Sequence, residues 1–359
     1  MPVMPLLSGL VRRFGARAVG LALTAIGLYV VFPTLLTVFG SWPRLRDVDV
    51  VWFAVVVLLV VGSMASLWWL TRLALQQPTG PDGQMSSISW GTAASAHLAG
   101  NAAGKVVPGG PATAGVVQAR LLIQSGQSPS AVASAITAMG LLTTVVLLML
   151  PILTVPALLI GPPPARQLEY GLVVSLVIGV VIVALTIAVL VWKPFVGAVG
   201  RVSGRLIHVV KREVTAEGTS ATLLRSRDRI AASFGGCRTR AVLAATGNRV
   251  LDYAALVAAL AALGAHARPS QVLMAYCVAQ ALALIPITPG GLGFVESGLT
   301  TLLVLIGVTA DQAVVGTLLY RLIAFWMPIP LGALAWAGWR INLHLTRRSR
   351  MTRQAEPED

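Results

Sequence analysis

The sequence predicts an all-α polytopic membrane protein, an inverted repeat built around two broken, re-entrant-like helical hairpins. Three observations predict it. Hydrophobic residues make up 56% of the 359-residue chain and charged residues 11%, with a mean hydropathy of +0.81. A Pro-Gly-Gly break interrupts an apolar stretch twice, at Pro108-Gly109-Gly110 and at Pro289-Gly290-Gly291. The basic residues fall on one side of the membrane once the spans are counted. Apolar runs of about 18–25 residues are long enough to cross a hydrocarbon layer of roughly 30 Å. A transmembrane barrel would instead show weakly alternating segments of about 10 residues.

In chain order, Arg12, Arg13 and Arg17 precede a first span over roughly 19–39. That run is longer than the apolar region of a cleaved signal. A short polar connection follows at Ser41 to Asp49, then a second span over roughly 50–71, with Trp68 and Trp69 suited to an interfacial belt. Residues 76–87 hold Pro78, Gly80, Pro81 and Gly83 and are expected to be a loop. Residues 88–123 form two arms broken at Pro108–Pro111. Spans over roughly 131–155 and 170–192 are joined by a stiff turn at Gly161 to Pro164.

Residues 193–240 are polar, with ten Lys/Arg against Glu213, Glu217 and Asp228. Val202, Leu206, Val209 and Val210 are spaced for an amphipathic helix on the membrane surface. A span over roughly 241–264 contains Arg249 and Asp252. Residues 271–306 form two arms broken at Pro289-Gly290-Gly291, and the last span covers roughly 312–339 with Arg321 inside it. The expected organisation is a basic tail at 1–18, a transmembrane region at 19–340 that includes the basic segment 193–240, and a C-terminal tail at 341–359.

The two breaks lie 181 residues apart. Each is followed, 18 residues after its proline, by a glycine that closes the apolar arm, Gly126 in one case and Gly307 in the other. With 35 Gly and 21 Pro in the chain, one Pro-Gly-Gly match is cheap. The matched interval points to internal duplication. If each broken element is a hairpin that returns to its starting side, the three spans between them put the two hairpins on opposite faces, as in the inverted repeats of secondary transporters. An inside N-terminus then leaves Arg72, residues 193–240 and the C-terminal tail in the cytoplasm. Only Arg44, Arg46, Arg166 and Arg268 fall outside, the asymmetry expected of a plasma (inner) membrane protein with both termini cytoplasmic. A single crossing at 88–123 would reverse this parity.

A helix that starts after each break exposes unpaired N–H groups and a positive dipole end, suited to phosphate or carboxylate. At membrane depth, irregular backbone is tolerated only against protein or a wet cavity. The alternative is that the glycines serve tight turns and close packing. Glu296 lies seven residues beyond Pro289, roughly 10 Å along a helix, and Arg321 on the next span is its natural partner. Two readings stand for the pair: a structural ion pair, or a substrate and proton-coupling pair. Lys105, three residues before Pro108, either contacts an anionic head group or snorkels to the surface. Arg120 is expected at the interface. Arg249 and Asp252, three apart, are expected to pair locally.

Other chemistries find no support. Cys237 and Cys277 have neither metal-ligand nor disulfide-framework spacing. The four His (His97, His208, His266, His344) are scattered, so no metal or cofactor is expected. No Ser-His-Asp set or paired carboxylates occur. Gly290-Gly291-Leu292-Gly293 lacks the preceding strand and the acidic ribose ligand of a dinucleotide loop. The net charge of +14 is the excess that cytoplasmic loops produce, and nucleic acid is not an expected partner.

Pro289-Gly290-Gly291-Leu292-Gly293-Phe294-Val295-Glu296, followed by Gly307 and Leu319-Tyr320-Arg321, resembles the membrane region of lysylphosphatidylglycerol synthases and the flippase-like, uncharacterised integral membrane family that shares it. Asn101-Ala102-Ala103-Gly104-Lys105 with Pro108-Gly109-Gly110, and Leu251-Asp252-Tyr253, fit the same resemblance. It covers about residues 20–340. The resemblance implies translocation of a phospholipid or other lipid-linked anion between leaflets. In the full-length synthases this region moves a lipid aminoacylated by an attached soluble domain. The chain stops after a short basic tail, so aminoacyl transfer is not expected of it.

The expected function is therefore lipid flipping by a non-enzyme. Asn101, Lys105, Pro108, Gly109, Gly110, Thr288, Pro289, Gly290, Gly291 and Gly293 would hold a head group, and Glu296 and Arg321 would line or gate the path. The alternatives are a lipid-presenting scaffold for a separate glycosyltransferase or lipid synthase, and a membrane-embedded lipid-modifying enzyme.

Overall fold

The computed structural model describes residues 50–79, 84–107, 110–150, 232–283 and 291–355, together with 194, 224 and 228. The expected spans at 19–39 and 170–192, the surface helix of 193–240, and Pro108, Gly109, Thr288, Pro289 and Gly290 lie outside the described residues. What is described is almost entirely helical, and its apolar helices make it an all-α polytopic membrane protein.

Helix α1 (Val50–Ala74) is uninterrupted apolar sequence with Arg72 in its last turn, where a cation complements the dipole. Val50, Val51, Phe53 and Leu58 are exposed, as lipid-facing side chains are in a protein whose surrounding solvent is hydrocarbon. The 76–87 connection holds a short antiparallel ribbon, β1 (Gln77–Thr79) with β2 (Gln84–Ser86), Gln77 opposite Ser86. Arg72 fastens this connection. Its Nε donates to the Ile88 carbonyl at 2.8 Å and its Nη2 to Ser87 Oγ at 2.9 Å, and its guanidinium lies 4.6 Å from the Trp90 ring.

The first broken element folds as a helical hairpin. Helix α2 (Trp90–Val106) starts at the Ser89 cap, whose Oγ accepts the Thr92 N–H. It stops where Val107 turns extended ahead of Pro108. Helix α3 (Pro111–Gln124) has proline in its first turn, where the missing N–H costs nothing. Gly100 and Gly104 let the arms touch. A Cβ at Gly100 would lie 2.7 Å from the Ala114 carbonyl oxygen, and one at Gly104 would lie 2.8 Å from the Gly110 carbonyl oxygen.

Helix α4 (Pro129–Met149) follows. Helix α5 (Arg238–Ala261) packs antiparallel along α1 through small and polar residues. Gly62 faces Leu251, Gly247 faces Ser66, and Asn248 Nδ2 donates to Ser63 Oγ at 2.7 Å and to the Ser63 carbonyl at 3.1 Å. The second broken element is again two facing arms, α6 (Pro269–Leu282) and α7 (Phe294–Leu305), with Gly298 against Leu282. Helix α8 (Ala310–Arg321) runs into a π-helical turn (Leu322–Trp326) and then α9 (Pro328–Ala355). The last helix therefore continues past residue 340.

Among the described residues, three helical stretches are long and apolar enough to span a membrane: Val50–Ala74, Pro129–Met149 and Ala310–Ile341. Helix α5 has the length but carries Arg238, Arg240, Arg249 and Asp252.

The 181-residue offset recurs in backbone geometry. Gly110 and Gly291 have φ of 50° and 72°, and Gly126 and Gly307 have 99° and 94°, a region glycine enters without steric cost. Helices α3 and α7 end with the same pair of bonds, Gln127 N–H to Leu122 O and Gly126 N–H to Ile123 O in one, Val308 N–H to Leu303 O and Gly307 N–H to Val304 O in the other. Ser128 and Thr309, again 181 apart, cap the next helices.

Two apolar clusters hold the helices. One joins α1, α5, α6, α7 and α8 through Val60, Leu256, Tyr276, Leu303 and Leu319. The other joins the end of α1 to α2, α3, α4 and the start of α5 through Leu70, Ala96, Leu122, Val132 and Ala245.

Candidate functional site

Polar residues recur at helical spacing and meet inside the bundle. His97, Asn101 and Lys105 stand four apart on α2, which places them on one face. Asn248, Arg249 and Asp252 come from α5, Gln280 from α6, Tyr320 and Arg321 from α8, and Phe325 from the π turn. All of these line one cavity of about 340 Å³, together with Gly110 and Pro111 at the first break. That volume is at the lower end of ligand pockets, suited to a head group rather than a whole lipid.

Asp252 is held by neutral donors. Its Oδ2 accepts from Tyr276 Oη at 2.8 Å, Tyr320 Oη at 2.9 Å and Gln280 Nε2 at 3.0 Å. The sequence expectation of a local Arg249–Asp252 pair is thus replaced by a cluster drawn from α5, α6 and α8. Two phenols and an amide from α6 and α8 bring three hydrogen bonds to this one carboxylate oxygen.

Lys105 does not snorkel. Its Nζ donates to the Ala324 and Phe325 carbonyls at 2.9 and 3.0 Å and lies 4.9 Å from the Phe325 ring centroid. The π turn and Pro328 explain why those carbonyls accept a side chain. Met327 N–H bonds back to Leu322 O, and Pro328 has no N–H to give Ala324 O, its partner four residues back. Arg321 lies 4.4 Å from the same ring, so the Phe325 ring serves both cations.

Glu296 and Arg321 form the expected ion pair. Arg321 Nε and Nη2 each lie 2.7 Å from Glu296 Oε1, with the Arg321 and Glu296 side chains 11% and 13% exposed. Glu296 Oε2 accepts the Gly293 N–H at 2.8 Å. The expectation that Glu296 stands two turns into its helix is corrected. Helix α7 starts at Phe294, so Glu296 sits in its first turn, because Gly291 and Gly293 both take positive φ and delay the helix beyond the break. The chain's own carboxylate therefore occupies this N-terminus.

Of the expected head-group residues, Asn101, Lys105 and Gly110 line the cavity, and so does Arg321, expected along the path. Glu296 stands behind Arg321 without lining it. Gly291 and Gly293 shape the turn that positions Glu296. Arg120 is exposed. His97, Gln280, Tyr320 and Phe325 were not singled out from sequence as lining residues, and Arg249 and Asp252 were read only as a pair. The four-residue spacing from His97 to Asn101 to Lys105 was the readable signal. His97 Nε2, Asn101 Oδ1 and Arg249 Nε are buried without hydrogen bonds among the described residues. No group of three or more His, Cys, Asp or Glu is placed to hold a metal among the described residues.

Comparison with known proteins agrees with this architecture. The family described as the lysylphosphatidylglycerol synthase TM region matches residues 17–332. A stretch of 72 residues is 39% identical to a UPF0104 membrane protein of Pyrococcus horikoshii, covering 20% of this chain and 22% of that protein. Because the family match takes in both hairpins, the α5 cluster and the π turn, the chain belongs to the lysylphosphatidylglycerol synthase transmembrane-region family.

Proposed function

We propose that this protein moves an anionic phospholipid or other lipid-linked anion between the leaflets of the plasma membrane, without itself catalysing a covalent reaction. The observation that carries the reading is the cavity. It holds Lys105, Arg249, Arg321 and Asp252 inside a bundle of apolar helices, and ionisable groups at such depth are costly and belong to substrate paths. Three basic side chains against one carboxylate among the described lining residues favour an anion. Both hairpins contribute. Lys105 comes from the first, and Arg321 is held by Glu296 of the second.

The two halves act as inverted repeats in this proposal, with both termini cytoplasmic. The paired glycines and caps at the 181-residue offset support the duplication. The antiparallel packing of α1 and α5 supports the hairpin parity, since a single crossing at 88–123 would make those spans parallel. Acyl chains stay in lipid while the head group crosses through the cavity.

The test is reconstitution in liposomes holding a trace of labelled phosphatidylglycerol. Inner-leaflet label should become accessible from outside faster with protein than without it, and Lys105→Gln protein of normal dispersity should lose that acceleration. Absence of acceleration by the wild type overturns the proposal. Stable co-purification with a synthase would then favour a lipid-presenting scaffold, and conversion of the lipid to a new species would favour an enzyme.

A further inference from the structure

We propose that Phe325 is a positioning residue for anion movement, its ring setting the Lys105 ammonium and the Arg321 guanidinium at one spacing on the cavity wall while leaving the ammonium's charge unneutralised. The inference rests on the transport reading above and adds to it a residue that acts through the two cations.

Phe325 is 3% exposed and lines the cavity from the π turn. Lys105 Nζ lies 4.9 Å from its ring centroid, and Arg321 Cζ lies 4.4 Å from the same centroid. The two cations reach the ring from separate elements, α2 and α8, so a single side chain sets where one stands relative to the other. Trp326 packs on the ring in a T-shaped contact, with centroids 5.5 Å apart. Phe325 also acts through its backbone, since its carbonyl accepts from Lys105 Nζ at 3.0 Å. Ring and carbonyl of one residue therefore grip one ammonium, which otherwise ends a flexible four-carbon stem.

What does the gripping decides what the cation can still do. Like charges close together in a low-dielectric interior repel. A carboxylate relieves that repulsion, but it also competes with any anion that enters. Arg321 has such a partner in Glu296. Among the described residues Lys105 is held instead by two carbonyls and a ring face. These carry partial negative charge. They orient the ammonium, and its full charge remains to act on an anion in the cavity. A cation over a ring is held most strongly where water is excluded, and the burial of Phe325 meets that condition.

The test is the liposome assay on the full chain carrying phenylalanine analogues at position 325. One, two or three fluorines withdraw electron density from the ring face and change its volume little. The initial rate of phosphatidylglycerol movement, per amount of monodisperse protein, should fall stepwise with each fluorine. At three fluorines it should be about tenfold lower, the loss expected when a desolvated cation–ring contact is removed. Phe325→Leu, apolar but without a π face, should fall at least as far. The same analogues at Phe53, exposed on α1, should leave the rate unchanged. A rate that is flat across the series at Phe325, or that falls equally with the analogues at Phe53, overturns the positioning role and leaves anion movement by the wild type standing. Absence of movement by the wild type overturns the transport reading and this inference with it. Because the fluorinated rings keep the native shape, the series decides even where Phe325→Leu fails to fold.

Discussion

Lys105 Nζ lies 2.9 Å from the carbonyl oxygen of Ala324, a backbone acceptor that Pro328, four residues on, cannot satisfy. One side chain of the first hairpin thus completes the hydrogen bonding of the π turn that follows Arg321. Lys105→Met should leave the Ala324 and Phe325 carbonyls without that donor and cost about 1–3 kcal/mol, the range for an orphaned buried acceptor. Adding Pro328→Ala restores an N–H within reach of Ala324 O. The double variant should recover part of the melting temperature lost by Lys105→Met while lipid movement stays absent. Recovery of both would show that Lys105 serves the backbone alone.

The Glu296–Arg321 pair makes a different prediction, because both partners are nearly buried. Removing one partner strands the other, which costs about 3–5 kcal/mol for fully buried pairs and somewhat less at this exposure. Glu296→Gln and Arg321→Gln should each lower the melting temperature by several degrees, and the double variant should be more stable than the sum of the two predicts. Additive losses would mean the contact contributes no coupling. Glu296→Gln also loses the charge on the α7 cap, so it should destabilise more than an ion pair without that second bond.

How much of this was readable follows from where each contact lies along the chain. The breaks, the arms and the glycine-closed helix ends are local, and Pro, Gly and the 18-residue interval encode them directly. Glu296 and Arg321 stood out because charges in apolar runs are rare. The Asp252 cluster did not, since Tyr276, Gln280 and Tyr320 each fit ordinary helix positions and become informative only when three helices converge. The π turn was hidden too. Pro328 and Pro330 signal lost backbone donors, but a lysine more than 200 residues away in sequence satisfies the result. The start of α7 was misplaced because Gly293 extends the break by two residues beyond Pro-Gly-Gly.

The hairpin itself can be tested at Gly104. A Cβ there would lie 2.8 Å from both the Gly110 carbonyl oxygen and Ala114 Cβ, so Gly104→Val must push the arms apart. The expected loss is about 2–3 kcal/mol, in the range of overpacked cores, together with loss of lipid movement, since Lys105 follows immediately. Gly140 on α4 has nothing among the described residues within 4 Å of its added Cβ. Gly140→Ala should be neutral, or more stable by up to about 1 kcal/mol through helix propensity. Melting in detergent distinguishes the two. A Gly104→Val protein as stable as the wild type would mean the arms are not tightly packed.

Asp252 separates binding from turnover. Its Oδ2 gathers three hydrogen bonds from two phenols and an amide, and Asp252→Asn keeps the shape while removing the charge. Hydrogen bonds to an ionised acceptor are roughly twice as strong as neutral ones, so the cluster should loosen modestly. Tyr276→Phe and Tyr320→Phe should each cost about 1 kcal/mol. The larger effect is on the guest. Asp252 is the one carboxylate among the described lining residues, and in the proposed transport it opposes an anion in a cavity that is also lined by Lys105, Arg249 and Arg321. Asp252→Asn should therefore bind phosphatidylglycerol more tightly and release it more slowly, lowering the rate of transbilayer movement while the dissociation constant falls. Calorimetry on the solubilised variant and label accessibility in liposomes measure the two quantities separately. Weaker binding in Asp252→Asn would assign the carboxylate to contact with the head group's donor, in place of electrostatic release.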